Sequence, residues 1–99
     1  MEKETCCSYK KKSRSEEEKK NLLSRLNRIE GQVGGIKRMI EDDRYCDDVL
    51  IQLSAVDKAI KSFAGLLLDL HMHSCVIEGV QKGDLEVIDE MVDLFKRFQ

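Results

Sequence analysis

The chain has 99 residues, 41% of them hydrophobic and 36% charged, with a formal net charge of −2. It contains no proline or tryptophan and few aromatics, so a small helical domain is expected and strands are not. The charged N-terminus and the absence of an apolar run near the ~18 residues of a membrane span read as a cytoplasmic protein with no membrane partner.

Charge is unevenly placed. Residues 1–45 carry 12 Lys/Arg against 9 Asp/Glu, and residues 46–99 carry 5 against 10. Residues 1–14, with a lysine run and no apolar periodicity, read as a flexible basic arm ahead of a single helical domain, 15–99. Ser15 followed by Glu16, Glu17 and Glu18 is a helix start, combining a capping hydroxyl with acids in the first turn. Leu22, Leu23, Leu26, Ile29, Val33, Ile36, Met39 and Ile40 then recur at three- and four-residue steps, giving one amphipathic helix over about 16–42. Gly31, Gly34 and Gly35 each cost about 1 kcal/mol relative to alanine there. They point to a close approach by another helix, a bend, or contact with a ligand backbone.

Asp42-Asp43-Arg44-Tyr45 is the turn. A second apolar stripe runs from Val49 through Leu53, Val56, Ile60, Phe63, Leu67, His71 and Cys75, predicting a helix over about 46–81. Lys82-Gly83-Asp84 supplies a glycine stop and a new N-cap. Leu85, Ile88, Met91, Val92, Phe95 and Phe98 then form a short third helix, 85–98. The protomer is therefore all-α: two long helices and a short one. A helix of ~35 residues is roughly 50 Å long. A monomer of this size has a radius near ~13 Å, so the long stripe needs partner chains, most simply in an antiparallel bundle.

The chemistry sits on the second helix. His71 and Cys75 are spaced i, i+4, so on an α-helix one imidazole and one thiol share a face. Cys46 is the natural third ligand, yet it precedes Cys75 by 29 residues, on the order of 44 Å along one helix at ~1.5 Å per residue. The three meet when two copies lie antiparallel, Cys46 of one facing His71 and Cys75 of the other. Two thiolates and an imidazole suit trigonal Cu(I); zinc usually takes a fourth ligand, which His73 or water would supply. His73 and Met72 point away from the His71 face. Tyr45 and a carboxylate of the third helix are the groups placed to hydrogen-bond the ligands. Absent a glycine-rich phosphate loop or a Ser/His/Asp arrangement, the chain does not read as an enzyme. Structural disulfides are disfavoured by the cytoplasmic reading, and Cys6-Cys7 sits in the arm without a defined role.

The run Arg25-Leu-Asn-Arg28-Ile-Glu30-Gly31-Gln32-Val-Gly-Gly35-Ile resembles the R-x-x-R-I-E-G-Q-V-x-G-I signature of the CsoR/RcnR family of metal-sensing repressors. Asp43-Arg-Tyr45-Cys46, Gln52-Leu-Ser54-Ala55-Val and Leu67-Leu-Asp-Leu-His71-x-x-x-Cys75-Val resemble it too, and the match covers about 18–98. The resemblance implies an antiparallel four-helix-bundle dimer, a dimer of dimers, and operator binding without a helix-turn-helix. Cys46, His71 and Cys75 match the pattern of its copper-sensing branch, with Tyr45 and Glu90 as supporting groups. Gly34 stands where many relatives have arginine, and Ser74 where a histidine often precedes the last cysteine; Ser74 is expected to be tolerated as off the ligand face.

The expected function is a copper(I)-responsive transcriptional repressor. Metal-free, it binds a GC-rich pseudo-palindromic operator through Arg25, Arg28, Gln32, Lys37 and Arg38 with the basic arm; Cu(I) releases it and derepresses copper efflux or resistance genes. The partners are operator DNA and further copies of the chain, with no small organic substrate. The alternatives are a persulfide or thiol switch of the same family, and a copper-storage or chaperone protein that never touches DNA.

Overall fold

The computed structural model describes residues 14–98. The basic arm, with Cys6 and Cys7, thus lies outside the described residues except for Arg14. Helix α1 spans Glu16–Glu41. Helix α2 spans Cys46–Gln81, 36 residues. It is α-helical over Cys46–His71, π-helical over Met72–Val76 and α-helical again over Ile77–Gln81. Helix α3 spans Glu86–Lys96, and no strand occurs among the described residues. The three expected helices are present, with ends displaced by a residue or two, as fraying ends allow.

Both inter-helix turns use the same hydrogen-bonded stop. At the end of α1 the Asp43 N–H donates to the Ile40 carbonyl (3.1 Å) and the Arg44 N–H to the Met39 carbonyl (2.9 Å). At the end of α2 the Gly83 N–H donates to Val80 (3.0 Å) and the Asp84 N–H to Gly79 (2.9 Å). These are Schellman pairs, which satisfy carbonyls that a helix end leaves orphaned. The motif needs one left-handed residue: Gly83 at φ 88° in the second turn, but Asp43 at φ 56° in the first. Asp84 then accepts the Glu86 N–H on its carboxylate (3.2 Å); the N-cap of α3 is Leu85, which makes no side-chain cap bond, so the expected capping acid sits one residue ahead of the cap.

Backbone contacts divide the chain into two compact units. One is Glu16–Phe63, holding α1 and the first part of α2. Leu22, Val49 and Val56 are buried in it, while Leu23, Leu26, Val33, Ile40, Leu50, Ile51, Leu53 and Ile60 remain exposed. The other unit contains Ala64–Gln99. Its buried side chains are Ala64, Cys75, Val76 and Met91. Here the remainder of α2 packs on α3, and a Cβ on Gly79 would come within 3.0 Å of Val87 Cγ1. Beside that contact, Met72, Val76, Val80, Ile88, Met91, Val92 and Phe95 line an apolar groove of about 360 Å³.

By length and composition, α2 is long and apolar enough to cross a membrane, which revises the expectation that no segment approaches a span. Only 17% of its most apolar 18-residue window is buried within the chain. Asp69, His71 and His73 lie on the same helix. The uncovered apolar side chains on all three helices match the sequence reading that partner chains complete the core.

The left-handed Asp43 generates a stability prediction. Asp43→Gly removes the cost of a Cβ in that conformation and is expected to stabilise by about 0.5–1 kcal/mol. Asp43→Val, β-branched, is expected to destabilise by more. Thermal unfolding of the two variants beside the wild type checks the order; Val above wild type contradicts it.

Candidate metal centre and basic groove

His71 closes the α-helical part of α2 and Cys75 lies within the π turn that follows. A π turn widens the helix by passing the hydrogen bond from the fourth to the fifth residue, and here the Ile77 N–H donates to the Met72 carbonyl. The expected i, i+4 pairing on a regular α-helix is therefore modified: the two ligands bracket a widened turn, a form of backbone common at functional sites. Cys75 is 5% exposed and Val76 4%, whereas His71 is half-buried.

Cys75 is disulfide-bonded in this structure, against the expectation of reduced thiols; Cys46 is free and exposed. Cys46 is the first residue of α2. Tyr45 precedes it, 71% exposed, and its carbonyl accepts the N–H groups of Asp48 (3.1 Å) and Val49 (3.3 Å). Arg44 pairs with Asp48 at 3.5 Å across the same turn. Glu90 is exposed on α3.

The neighbours behave as their helical positions dictate. His73 is exposed, with Nδ1 3.0 Å from the Asp69 carbonyl oxygen and 3.5 Å from its carboxylate. Met72 lines the apolar groove. Neither is arranged with the ligand pair. Ser74 differs from expectation. Its half-buried hydroxyl donates to the Leu70 carbonyl at 2.8 Å and also lies 3.6 Å from Cys75 Sγ. The sequence reading set Ser74 off the ligand face, yet its hydroxyl reaches the Cys75 sulfur.

Among the described residues of a single chain, no three His, Cys, Asp or Glu side chains come together as a metal site. The chain offers a half-site, His71 with Cys75, and a separate exposed thiol, Cys46. Two sulfurs and one imidazole nitrogen form a soft donor set, which fits Cu(I) once both sulfurs are thiolates.

The first unit carries a different surface. Arg25, Arg28, Ile29, Gly31 and Gln32 of α1 and Ala59, Ser62 and Phe63 of α2 line one groove of about 500 Å³. Arg25, Arg28 and Gln32 follow an i, i+3, i+7 spacing and so share a helix face. The Arg25 Nε donates to Asn21 Oδ1 at 3.4 Å, which aligns the guanidinium along α1. Lys37 and Arg38 do not line this groove; the Arg38 guanidinium lies against Gly34 and Gly35 instead, 3.9 Å from the position of a Cβ on each. At Gly31 an added Cβ would meet nothing within 4 Å. Close packing within the chain therefore does not explain the glycines of α1, whereas it does explain Gly79. Ser62 and Phe63 carry no signal of a groove position in the sequence: Phe63 belongs to the apolar stripe of α2, Ser62 lies outside it, and nothing in their spacing links them to α1.

The family model described as metal-sensitive transcriptional repressor matches residues 18–97. The chain is 50% identical over 86 residues to the copper-sensing transcriptional repressor CsoR of Bacillus subtilis, covering 86% of this chain and 85% of that protein. It is 54% identical over 67 residues to the copper-sensing transcriptional repressor RicR of Mycobacterium tuberculosis, covering 68% and 70%. Among solved structures it is similar to the copper-sensing repressor CsoR with Cu(I) from Geobacillus thermodenitrificans. The TM-score is 0.82 at 41% identity, over 87% of this chain and 91% of that one. The nickel-responsive transcriptional regulator InrS is also similar, with a TM-score of 0.68 at 38% identity, over 81% and 91%.

The burial and bonding of the two candidate cysteines, Cys46 and Cys75, predict their reactivity. Without reductant, a maleimide should label Cys46 rapidly and leave Cys75 unmodified. After reduction Cys75 should react, but more slowly than Cys46. Peptide mapping by mass spectrometry reads both rates, and equal labelling in the unreduced protein contradicts the assignment.

Proposed function

The chain belongs to the family of metal-sensitive transcriptional repressors, and from that premise we propose that it is a copper(I)-responsive repressor. Metal-free, it binds operator DNA and silences copper efflux or resistance genes; Cu(I) releases it. It acts in the cytoplasm as a dimer of antiparallel protomers, two dimers forming a tetramer. Its relatives are repressors rather than enzymes, and no residue is assigned a catalytic role.

One observation carries this reading: the chain presents a soft-metal half-site and a lone exposed thiol on a family scaffold, and neither suffices alone. Cu(I) is held by Cys46 of one protomer with His71 and Cys75 of another, so the dimer itself is the coordinating unit. Tyr45 and Glu90 act as supporting groups around the ligands. The exposed apolar residues of α1 and α2 supply the surface such a dimer buries. Bound Cu(I) supplies charge neutralisation for the two thiolates and a link between chains. The chain's own contribution is the π turn, whose hydrogen-bond register differs from that of the flanking helix by one residue. A register change there alters how α2 meets its partner.

DNA is engaged by the groove face, with Arg25 and Arg28 on phosphates, Gln32 beside them and the bare Gly31 admitting the backbone of the duplex. Lys37 and Arg38 extend the positive surface further along α1, and the basic arm adds to it. Because the effect is a linkage between two ligands, Cu(I) weakens operator binding by the same factor by which operator weakens Cu(I) binding. Affinity should also fall steeply with salt, as phosphate neutralisation releases counterions.

A second reading has its own observation. Cys75 in a disulfide shows that this sulfur takes part in thiol chemistry, and with Cys46 free in the same structure a switch in which Cys46 and Cys75 of two chains respond to oxidation or persulfides is the alternative. His71 separates the two, since a sulfur-only switch has no use for an imidazole.

Four outcomes are expected. Operator binding followed by fluorescence anisotropy should be lost at one Cu(I) per protomer; unchanged affinity at that ratio sinks the proposal. His71→Ala should abolish the copper response; a persulfide response intact in wild type and variant, with no copper response in either, selects the thiol switch. Cys46→Ser and Cys75→Ser proteins should each respond poorly. Mixed dimers of the two should recover one intact site per dimer, because one of their two sites retains all three ligands. Gly31→Ala should raise stability by about 1 kcal/mol while weakening operator binding, two effects that diverge only if DNA uses that space.

A further inference from the structure

Ser74 occupies the position before Cys75, inside the π turn, and is half-buried. Its hydroxyl oxygen has two acceptors within reach: the Leu70 carbonyl at 2.8 Å and Cys75 Sγ at 3.6 Å. The first distance is typical of an O–H···O bond. The second suits the larger radius of sulfur. A serine hydroxyl carries one proton, so it donates to one acceptor at a time.

The choice depends on the state of the sulfur. A disulfide sulfur is a weak acceptor, and the carbonyl then holds the proton; such back-bonding to the residue one turn earlier is a common serine habit in helices. A thiolate is charged, and charge-assisted hydrogen bonds are roughly twice as strong as neutral ones. Rotation about the Cβ–Oγ bond transfers the donor from Leu70 to Cys75 with no heavy atom displaced. Leu70 directly precedes His71, so the hydroxyl stands between the backbone bearing one ligand and the sulfur of the other.

We propose that Ser74 is a positioning residue for the metal site, its hydroxyl donating to the Cys75 thiolate and fixing that sulfur toward the metal. This rests on the copper reading above. It also reassigns a position that the sequence presents as a neutral replacement. Partners one bond removed from a metal ligand typically alter metal affinity by tenfold or more when deleted.

The test uses the reduced full-length protein and its Ser74→Ala and Ser74→Thr variants. Cu(I) affinity is measured by competition with a chromophoric chelator, copper–sulfur distances by X-ray absorption, and stability by thermal unfolding. Ser74→Ala should weaken Cu(I) binding by about tenfold and change the copper–sulfur shell. Ser74→Thr, which retains the hydroxyl, should restore both. If Ser74→Ala lowers only the melting temperature, with affinity and sulfur shell unchanged, the hydroxyl serves the helix alone and the inference is overturned. A wild type that binds Cu(I) through two sulfurs and a nitrogen while all three proteins bind alike overturns the Ser74 role and leaves the copper reading standing. A wild type that binds no Cu(I) overturns both.

Discussion

A 36-residue helix in a 99-residue chain carries more apolar surface than its own chain covers. Burial of such surface is worth about 25 cal/mol per Å², so the uncovered stripe is a standing drive toward association. Leu50, Ile51, Leu53 and Ile60 on the first part of α2, and Ile77 and Val80 near its end, are all exposed. Ile88, Val92 and Phe95 expose a similar face on α3. The proposed cross-chain metal site borrows this drive. Ligands gathered from two chains cost little extra when hydrophobic burial already brings the chains together, and the metal needs to bias only the arrangement within an existing assembly.

The soft donor set decides the metal more than the fold does. The same scaffold is found in copper-sensing and nickel-responsive regulators, so the helices set positions and the side chains at those positions set chemistry. In the proposed site Cys46 and Cys75 would supply sulfur, which favours Cu(I) over harder ions, and His71 would complete a three-donor set. His73 and Met72 flank His71 in sequence yet take different directions, one toward Asp69 and solvent and the other into the apolar groove. Proximity in sequence therefore adds no fourth ligand, which leaves the low coordination number that Cu(I) accepts and zinc ordinarily does not.

Helix number, order and approximate ends were legible because apolar residues at three- and four-residue steps leave no competing period, and Gly83 marks its stop openly. Asp43 does not announce itself: Asp-Asp-Arg-Tyr reads as a turn, but nothing in it says which residue turns left-handed. The π turn is likewise silent, since one extra residue in one hydrogen-bonded ring hardly disturbs a stripe of mixed spacing. For the glycines of α1 the sequence left a close approach by another helix, a bend or contact with a ligand backbone open; Gly31 faces open space within the chain, and the tight glycine contact occurs at Gly79 against Val87. Arg25 and Arg28 share a groove with Gln32 because their spacing repeats the helix period. Lys37 and Arg38 lie a further turn along, where Arg38 covers Gly34 and Gly35.

That cover bears on Gly34 as a substitution for the arginine of many relatives. The Arg38 side chain lies over the bare backbone at 34 and 35, so a cation occupies the same stretch of α1 surface from four residues away. A long guanidinium reaching back one turn is what the i, i+4 geometry permits. In the proposed DNA-bound state a phosphate meeting this surface would encounter that guanidinium on a flexible stem. Flexibility lowers the affinity gained per contact, because the side chain must be ordered on binding. In the proposed repressor, contacts made through such flexible stems would be ones that a modest metal-driven bias can release.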